Sequence, residues 1–242
     1  EMKIAARTDI GRQRKQNEDA FAYDTNTGFF IVADGMGGLD AGDIASKTAL
    51  SVLKSGLDQL ATLDNPSSRL SLLHDLVNEA NHKIYHCSNI PNASARMGTT
   101  LTAGVVSGKH LLYVHVGDSR IYLVRQGEIQ QLTTDHSLVQ EMVELGQISS
   151  EEARTHNYRN VINRAVGLEL TVEVDQGEHQ LLVGDKLLIC SDGLHDMITS
   201  DIEIADLIQD ADGPEIAVTN LVKQALLNGG LDNVTAVLIE VD

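Results

Sequence analysis

LTAGVVSGKHLLYVHVGDSRIYLVRQGEIQQL, residues 101–132, decides the fold class. Four short segments in it are apolar and rich in β-branched residues: Leu101 to Val106, Leu111 to Val116, Ile121 to Val124 and Ile129 to Leu132. Gly108, Gly117 and Gly127 separate them. Short β-formers punctuated by glycine turns predict an antiparallel meander. Upstream, Thr27-Gly28 precedes the apolar run Phe29–Ala33, which reads as a buried strand. A helical repeat follows, with Ile44, Ala45, Ala49, Val52, Leu53, Leu57 and Leu60 on one face. Asn65-Pro66-Ser67-Ser68 breaks it, and Leu70, Leu73, Leu76, Val77, Ala80 and Ile84 start a second helix that packs beside the first.

Downstream, residues 137–165 are more polar and read as helical, around Glu151-Glu152-Ala153-Arg154. Two strands flank Gly184-Asp185, the second being Lys186–Cys190. A helix over 214–227 opens at Pro214, a favoured first position, and a last strand covers Val234 to Val241. Strands in runs and helices in pairs predict an α+β sandwich of antiparallel sheets covered by helices, not a doubly wound fold. Neither a linker nor a repeat interrupts residues 1–242, so one domain is expected.

The 242 residues are 42% apolar, which fits a globular chain with its own core. Acidic residues outnumber basic ones 35 to 18, for a formal charge of −17. Such a surface repels nucleic acid and anionic lipid, so neither is an expected partner. Two cysteines, Cys87 and Cys190, argue against a disulfide framework or a zinc ribbon. The start, Glu1-Met2-Lys3, shows no apolar leader, and no apolar run reaches membrane length. A cytoplasmic monomer is expected.

One pattern recurs: an aspartate beside glycine or asparagine at a strand end. It occurs at Asp34-Gly35, Gly117-Asp118, Asp192-Gly193 and Asp232-Asn233. Each alone is ordinary turn chemistry. If the strands share a sandwich, their ends meet at one edge, and gathered carboxylates repel unless cations neutralise them. Hard oxygen donors without Cys or His select Mg²⁺ or Mn²⁺. Two such ions, about 3.5–4 Å apart, can hold a hydroxide for in-line attack on phosphorus. Arg14, close to Glu18 and Asp19, supplies a guanidinium fork that matches phosphate oxygens.

Six segments in order carry a resemblance: Arg14 with Glu18-Asp19, Val32–Gly38, Met97-Gly98-Thr99-Thr100, Val116–Arg120, Ser191–Leu194 and Gly230–Thr235. Together they resemble the bacterial metal-dependent protein phosphatases of the PPM (type 2C) family, across residues 4–241. The resemblance implies a four-layer α-β-β-α sandwich of two antiparallel sheets flanked by antiparallel helix pairs. It implies hydrolysis of phosphoserine and phosphothreonine in proteins by a hydroxide bridging two core Mn²⁺ or Mg²⁺ ions, opposing a serine/threonine kinase. Asp34 would bridge both ions, the Gly35 carbonyl would bind one, and Asp192 and Asp232 would hold the other. Glu18 and Asp19 would act through bound water. Asp118 with Asp192 would form a third metal site, Arg14 would bind the phosphate, and residues 140–165 would form a mobile flap.

The chain departs from that pattern. Leu39 stands where many bacterial relatives carry a histidine, Ala41-Gly42-Asp43 replaces a Gly-Gly-Glu, and Met36 stands where some eukaryotic members carry histidine. The proton donor is therefore open between a metal-bound water and His136, His156 or His195. Other patterns are set aside. Cys190 lacks the arginine that a tyrosine-phosphatase nucleophile needs six positions on, where Asp196 stands. Gly35–Gly38 is neither a P-loop nor a dinucleotide fingerprint. Asp210–Gly213 is a turn rather than a calcium loop, and Asn92-Ala93-Ser94 matters only in a secreted chain. Two rivals remain, a phosphoprotein-binding module of weak activity and a phosphomonoesterase for small molecules.

Overall fold

The computed structural model describes residues 2–38, 40–88 and 96–242. Leu39 and Asn92-Ala93-Ser94 lie outside the described residues. One sheet runs in the order β1 (Lys3–Asp9), β11 (Val234–Glu240), β10 (Lys186–Cys190), β7 (Arg120–Arg125), β8 (Glu128–Gln131). The other runs β2 (Asp19–Asp24), β3 (Phe29–Gly37), β5 (Leu101–Ser107), β6 (His110–Val116), β9 (Asp175–Gln180), with β4 (Met97–Thr99) on the far end of β3. All paired strands are antiparallel.

Strand alternation builds the layers. Phe30 and Val32 of β3 face Ile121 and Leu123 of β7, Leu187 and Ile189 of β10 and Val237 and Ile239 of β11, forming the core between the sheets. Phe29 and Ile31 face the other way, under α1 (Ala41–Ser55) and α3 (Pro66–Ser88). Tyr122, Leu188 and Leu238 point to the opposite outer face, beneath α7 (Asp201–Gln209) and α8 (Pro214–Leu227). Each fully buried Phe, Ile or Leu contributes roughly 1.5–3 kcal/mol. The result is the expected α-β-β-α sandwich. Strands buried on both faces read as continuous apolar runs, because each face meets another layer.

Two local expectations are corrected. Residues 101–132 are not one meander: β5 and β6 pair in one sheet, β7 and β8 in the other. The Gly117–Ser119 link carries the chain across the sandwich, with Gly117 at φ +108°. The helix after the first apolar strand breaks at Gly56, so Leu57 and Leu60 belong to α2 (Leu57–Thr62), and Ile44 points outward at 51% exposure. Residues 137–165 hold two short helices, α4 (Leu138–Glu144) and α5 (Ser150–Thr155), and irregular chain between and after them.

Candidate active site

The strand ends do meet. A cavity of about 320 Å³ at one edge of the sandwich is lined by Arg14, Glu18, Asp34, Asp118, Asp192 and Asp232, among others. Gly35 also lines it. Pairing of β2 with β3 sets Asp19 opposite Asp34. Both backbone groups of Asp34 are tied to the bend before β5. Its N–H donates to Thr100 Oγ1 (2.9 Å), and its carbonyl accepts from Thr100 N–H (2.9 Å) and Thr99 Oγ1 (3.1 Å). Gly35 is required because a Cβ there would collide with the Gly42 carbonyl at the start of α1.

Asp192 opens α6 (Asp192–His195) directly after β10. The neighbouring Gly193 lies against the Asn233 carbonyl, in a space no Cβ could share. This contact brings Asp192 beside Asp232. Asn233 braces the corner: its side chain accepts from Glu18 N–H (2.9 Å) and donates to the carbonyls of Ile10 and Gln16 (both 2.9 Å). Asp232 Oδ2 accepts from Arg14 Nη2 at 2.6 Å, an ion pair at the rim with the Arg14 side chain half exposed.

Asp19 lies deeper than the cavity wall. Its Oδ2 accepts from Ser191 Oγ (2.8 Å) and Thr235 Oγ1 (2.6 Å), while its Oδ1 is buried with no partner. Asp192 Oδ1 is likewise buried and unpartnered. Burial raises the Asp34 carboxyl well above the usual range, and the charges of Asp19, Asp192, Asp118 and Asp232 push it further. Asp192 is raised well above that range by burial, then by Asp118, Asp196 and Asp232. Burial lifts Asp19 to about 6 against the hydrogen bonds from Thr235 and Ser191. It lifts Asp118 to about 6 as well, opposed by His195 and reinforced by Asp135. Glu18 is also raised, by burial first.

Acceptor oxygens without donors, among carboxylates that repel one another, are what a hard divalent cation satisfies. Among the described residues no three His, Cys, Asp or Glu side chains stand as a finished metal cage. Arg14 occupies one oxygen of Asp232 instead. The donor chemistry nonetheless fits Mn²⁺ or Mg²⁺, because every uncommitted group is a carboxylate oxygen.

A pH dependence follows. Asp19 and Asp118 titrate near 3.8 when unfolded and near 6 in the fold, so the native state binds more protons. Their destabilising effect is absent below about pH 4, grows through pH 4–6 and is complete above it. His115, pushed down to about 4 by burial, acts the other way in this window, but Asp34 and Asp192 are raised with Asp19 and Asp118. The melting temperature of the metal-free protein is therefore expected to fall as pH rises from 4.5 to 6.5, and saturating Mn²⁺ should flatten that slope. A metal-free melting temperature that rises across this window would contradict the electrostatic reading.

None of the three candidate histidines lines the cavity. His195 is buried and its Nε2 lies 2.9 Å from the Asp118 carbonyl. His136 accepts the Gly117 N–H at Nδ1 (2.9 Å) and meets Asp175 through Nε2 (2.9 Å). His156 caps the end of α5, its Nδ1 taken by Tyr158 N–H. Cys190 is fully buried, and that burial pushes its thiol far up, so it is no nucleophile.

Sequence reading missed Arg159, Asn160 and Asp196, which also line the cavity. Asp196 had a usable signal, standing four residues after Asp192 on the same helical face. Arg159 had none, because it sits in a polar stretch without a motif. A second cavity, of about 190 Å³, shares Asp118, Arg159 and Asp196 with the first.

Comparison with known proteins places the chain in a family. The protein phosphatase 2C family model matches residues 11–223. The serine/threonine phosphatase stp of Listeria welshimeri is 37% identical over 237 residues, covering 97% of this chain and 94% of its own length. The crystal structure of the Mycobacterium tuberculosis serine/threonine phosphatase PstP/Ppp superposes with a TM-score of 0.91 at 36% identity, covering 100% of this chain and 99% of that one. The catalytic domain of a serine/threonine protein phosphatase PstP, solved with two manganese ions, superposes at 0.87 with 37% identity, covering 100% and 99%. Sheet order, carboxylate cavity and overall likeness converge, and the chain belongs to the protein phosphatase 2C family.

Proposed function

We propose that the chain is a metal-dependent phosphatase that removes phosphate from phosphoserine and phosphothreonine in proteins, acting as one domain and opposing a serine/threonine kinase. The observation that carries this reading is the pair of buried, unpartnered oxygens on Asp19 and Asp192 beside a cavity whose rim holds Arg14. The relatives' names, and the manganese in one solved neighbour, support it.

Asp34, the Gly35 carbonyl, Asp192 and Asp232 would hold two Mn²⁺ or Mg²⁺ ions, with Glu18 and Asp19 behind them through water and Asp118 with Asp192 offering a third, weaker place. When bound, such ions neutralise the carboxylates and supply a deprotonated water aligned for attack on phosphorus. The protein's own part is orientation. Thr99 and Thr100 fix the Asp34 backbone, and Ser191 and Thr235 fix Asp19. Arg14 is exposed enough to exchange Asp232 for phosphate oxygens, which it can grip with two parallel N–H donors. His136, His156 and His195 all lie off the cavity wall, which favours solvent in the cavity as the source of the proton for the leaving oxygen.

The test is phosphate release from a phosphothreonine peptide with Mn²⁺, with Mg²⁺ and with excess EDTA. Chelation is expected to lower the rate at least about a hundredfold, and excess Mn²⁺ to restore it. Release that ignores EDTA sinks the metal mechanism. Metal binding without release would make the chain a phosphoprotein-binding module instead.

A further inference from the structure

The segment between β8 and β9 leaves the sandwich and returns to line the cavity with Arg159, Asn160 and Ile162. Its two feet are joined. Leu138 N–H donates to the Val161 carbonyl (2.8 Å), Asn163 N–H to the His136 carbonyl (3.1 Å), and Ser137 bridges to Ile162. His136 sits at the first foot and Arg164 just beyond the second. Asp175, at the start of β9, holds both: Oδ2 lies 2.9 Å from His136 Nε2, and Oδ1 accepts from Arg164 Nη1 at 2.8 Å.

The other side of His136 grips the metal-site turn twice. Its backbone N–H donates to the Gly117 carbonyl (2.8 Å), and its Nδ1 accepts the Gly117 N–H (2.9 Å). Because Nδ1 accepts, the ring proton sits on Nε2, where Asp175 Oδ2 accepts it at 2.9 Å and Arg164 Nη1 lies 3.0 Å away. Gly117 adopts φ +108° and is followed by Asp118, whose own carbonyl is held by His195. The turn is thus braced by one histidine on each side, and His136 also bonds the second foot of the excursion through its carbonyl.

We propose that His136 is a positioning residue: with Asp175 and Arg164 it clamps the feet of the 138–162 excursion to the Gly117 turn that presents Asp118 to the cavity. The inference rests on the phosphatase reading in assigning that cavity to catalysis and in giving Asp118 a share in metal binding.

Two substitutions separate the halves of the clamp. In His136→Asn the amide oxygen stands near the place of Nδ1 and can still accept from Gly117, but the reach to Asp175 is lost. In His136→Gln the amide reaches Asp175, but no acceptor faces Gly117. Calorimetric titration of the full chain with Mn²⁺ should show His136→Gln weakening the weakest binding event about tenfold, and His136→Asn leaving it within about threefold of wild type. His136→Asn should instead raise KM for a phosphothreonine peptide about tenfold while leaving KM for p-nitrophenyl phosphate unchanged. A merely structural histidine would lower both variants' melting temperatures and move neither readout. Wild-type Mn²⁺ affinity in His136→Gln, or a wild-type peptide KM in His136→Asn, overturns the clamp. A wild type that binds Mn²⁺ but releases no phosphate overturns the phosphatase reading and leaves the calorimetric arm intact.

Discussion

Asp34→Asn is expected to lower turnover of a phosphothreonine peptide by about 10³-fold or more while the protein stays folded. The side chain keeps its shape and one oxygen, and its backbone remains anchored through Thr99 and Thr100. What disappears is the charge at the centre of the carboxylate group, where Asp19, Asp118, Asp192 and Asp232 all act on it. The same change should raise the melting temperature of the metal-free protein, because it removes like-charge repulsion and a buried charge. Opposite signs in the two measurements distinguish a functional residue, held at a cost in stability, from a structural one. A rate within about threefold of wild type would falsify the central assignment.

Arg120→Leu is expected to cost about 3–5 kcal/mol of stability. Arg120 binds Asp135 through two parallel contacts, Nε to Oδ1 at 2.9 Å and Nη2 to Oδ2 at 2.6 Å. Its third arm donates to the hydroxyl of fully buried Tyr122 at 2.6 Å. Removing the guanidinium strands the largely buried Asp135 carboxylate at a cavity wall and the fully buried Tyr122 hydroxyl. Although burial raises the Asp135 carboxyl, Arg120 outweighs it and holds it below 3.8. The stability contributed by the pair is therefore present above about pH 4 and is lost as pH falls further. For a chain of this size the substitution should lower the melting temperature by roughly 10 °C. Adding Asp135→Leu should recover much of the loss, since a paired buried charge is worth little more than an apolar replacement. Thermal melts of the single and double variants decide this; a single variant that loses under about 1 kcal/mol shows that solvent reaches the pair.

The inner strands were legible because both of their faces are buried. Phe29–Ala33 and Lys186–Cys190 had no other reading once glycine turns bounded them. The edge strand β1 and the outer β2 were missed, since their exposures alternate or vary and their compositions are mixed. The crossing at Gly117 looked like a hairpin turn because the sequence marks a glycine turn without marking which sheet receives the next strand. At the site, Asp34, Asp118, Asp192 and Asp232 stood out through their glycine and asparagine neighbours, which the structure explains by close backbone approach at Gly35 and Gly193. The braces of Asp19 were not legible. Ser191 and Thr235 are ordinary residues in sequence and gain their meaning only from a partner 172 and 216 positions away.

That separation bears on how the protein comes into being during synthesis. Strands β1 and β11 lie side by side, so two strands far apart in the sequence are neighbours in the same sheet. The bond from Thr235 to Asp19 closes a loop spanning nearly the whole chain. Contacts so distant in sequence form late, after shorter-range pairings have restricted the chain. A nascent chain still lacking β11 lacks Thr235, one of the two hydroxyls that seat Asp19. If Asp19 serves the site as proposed, an intermediate without Thr235 is expected to be inactive until β11 has paired.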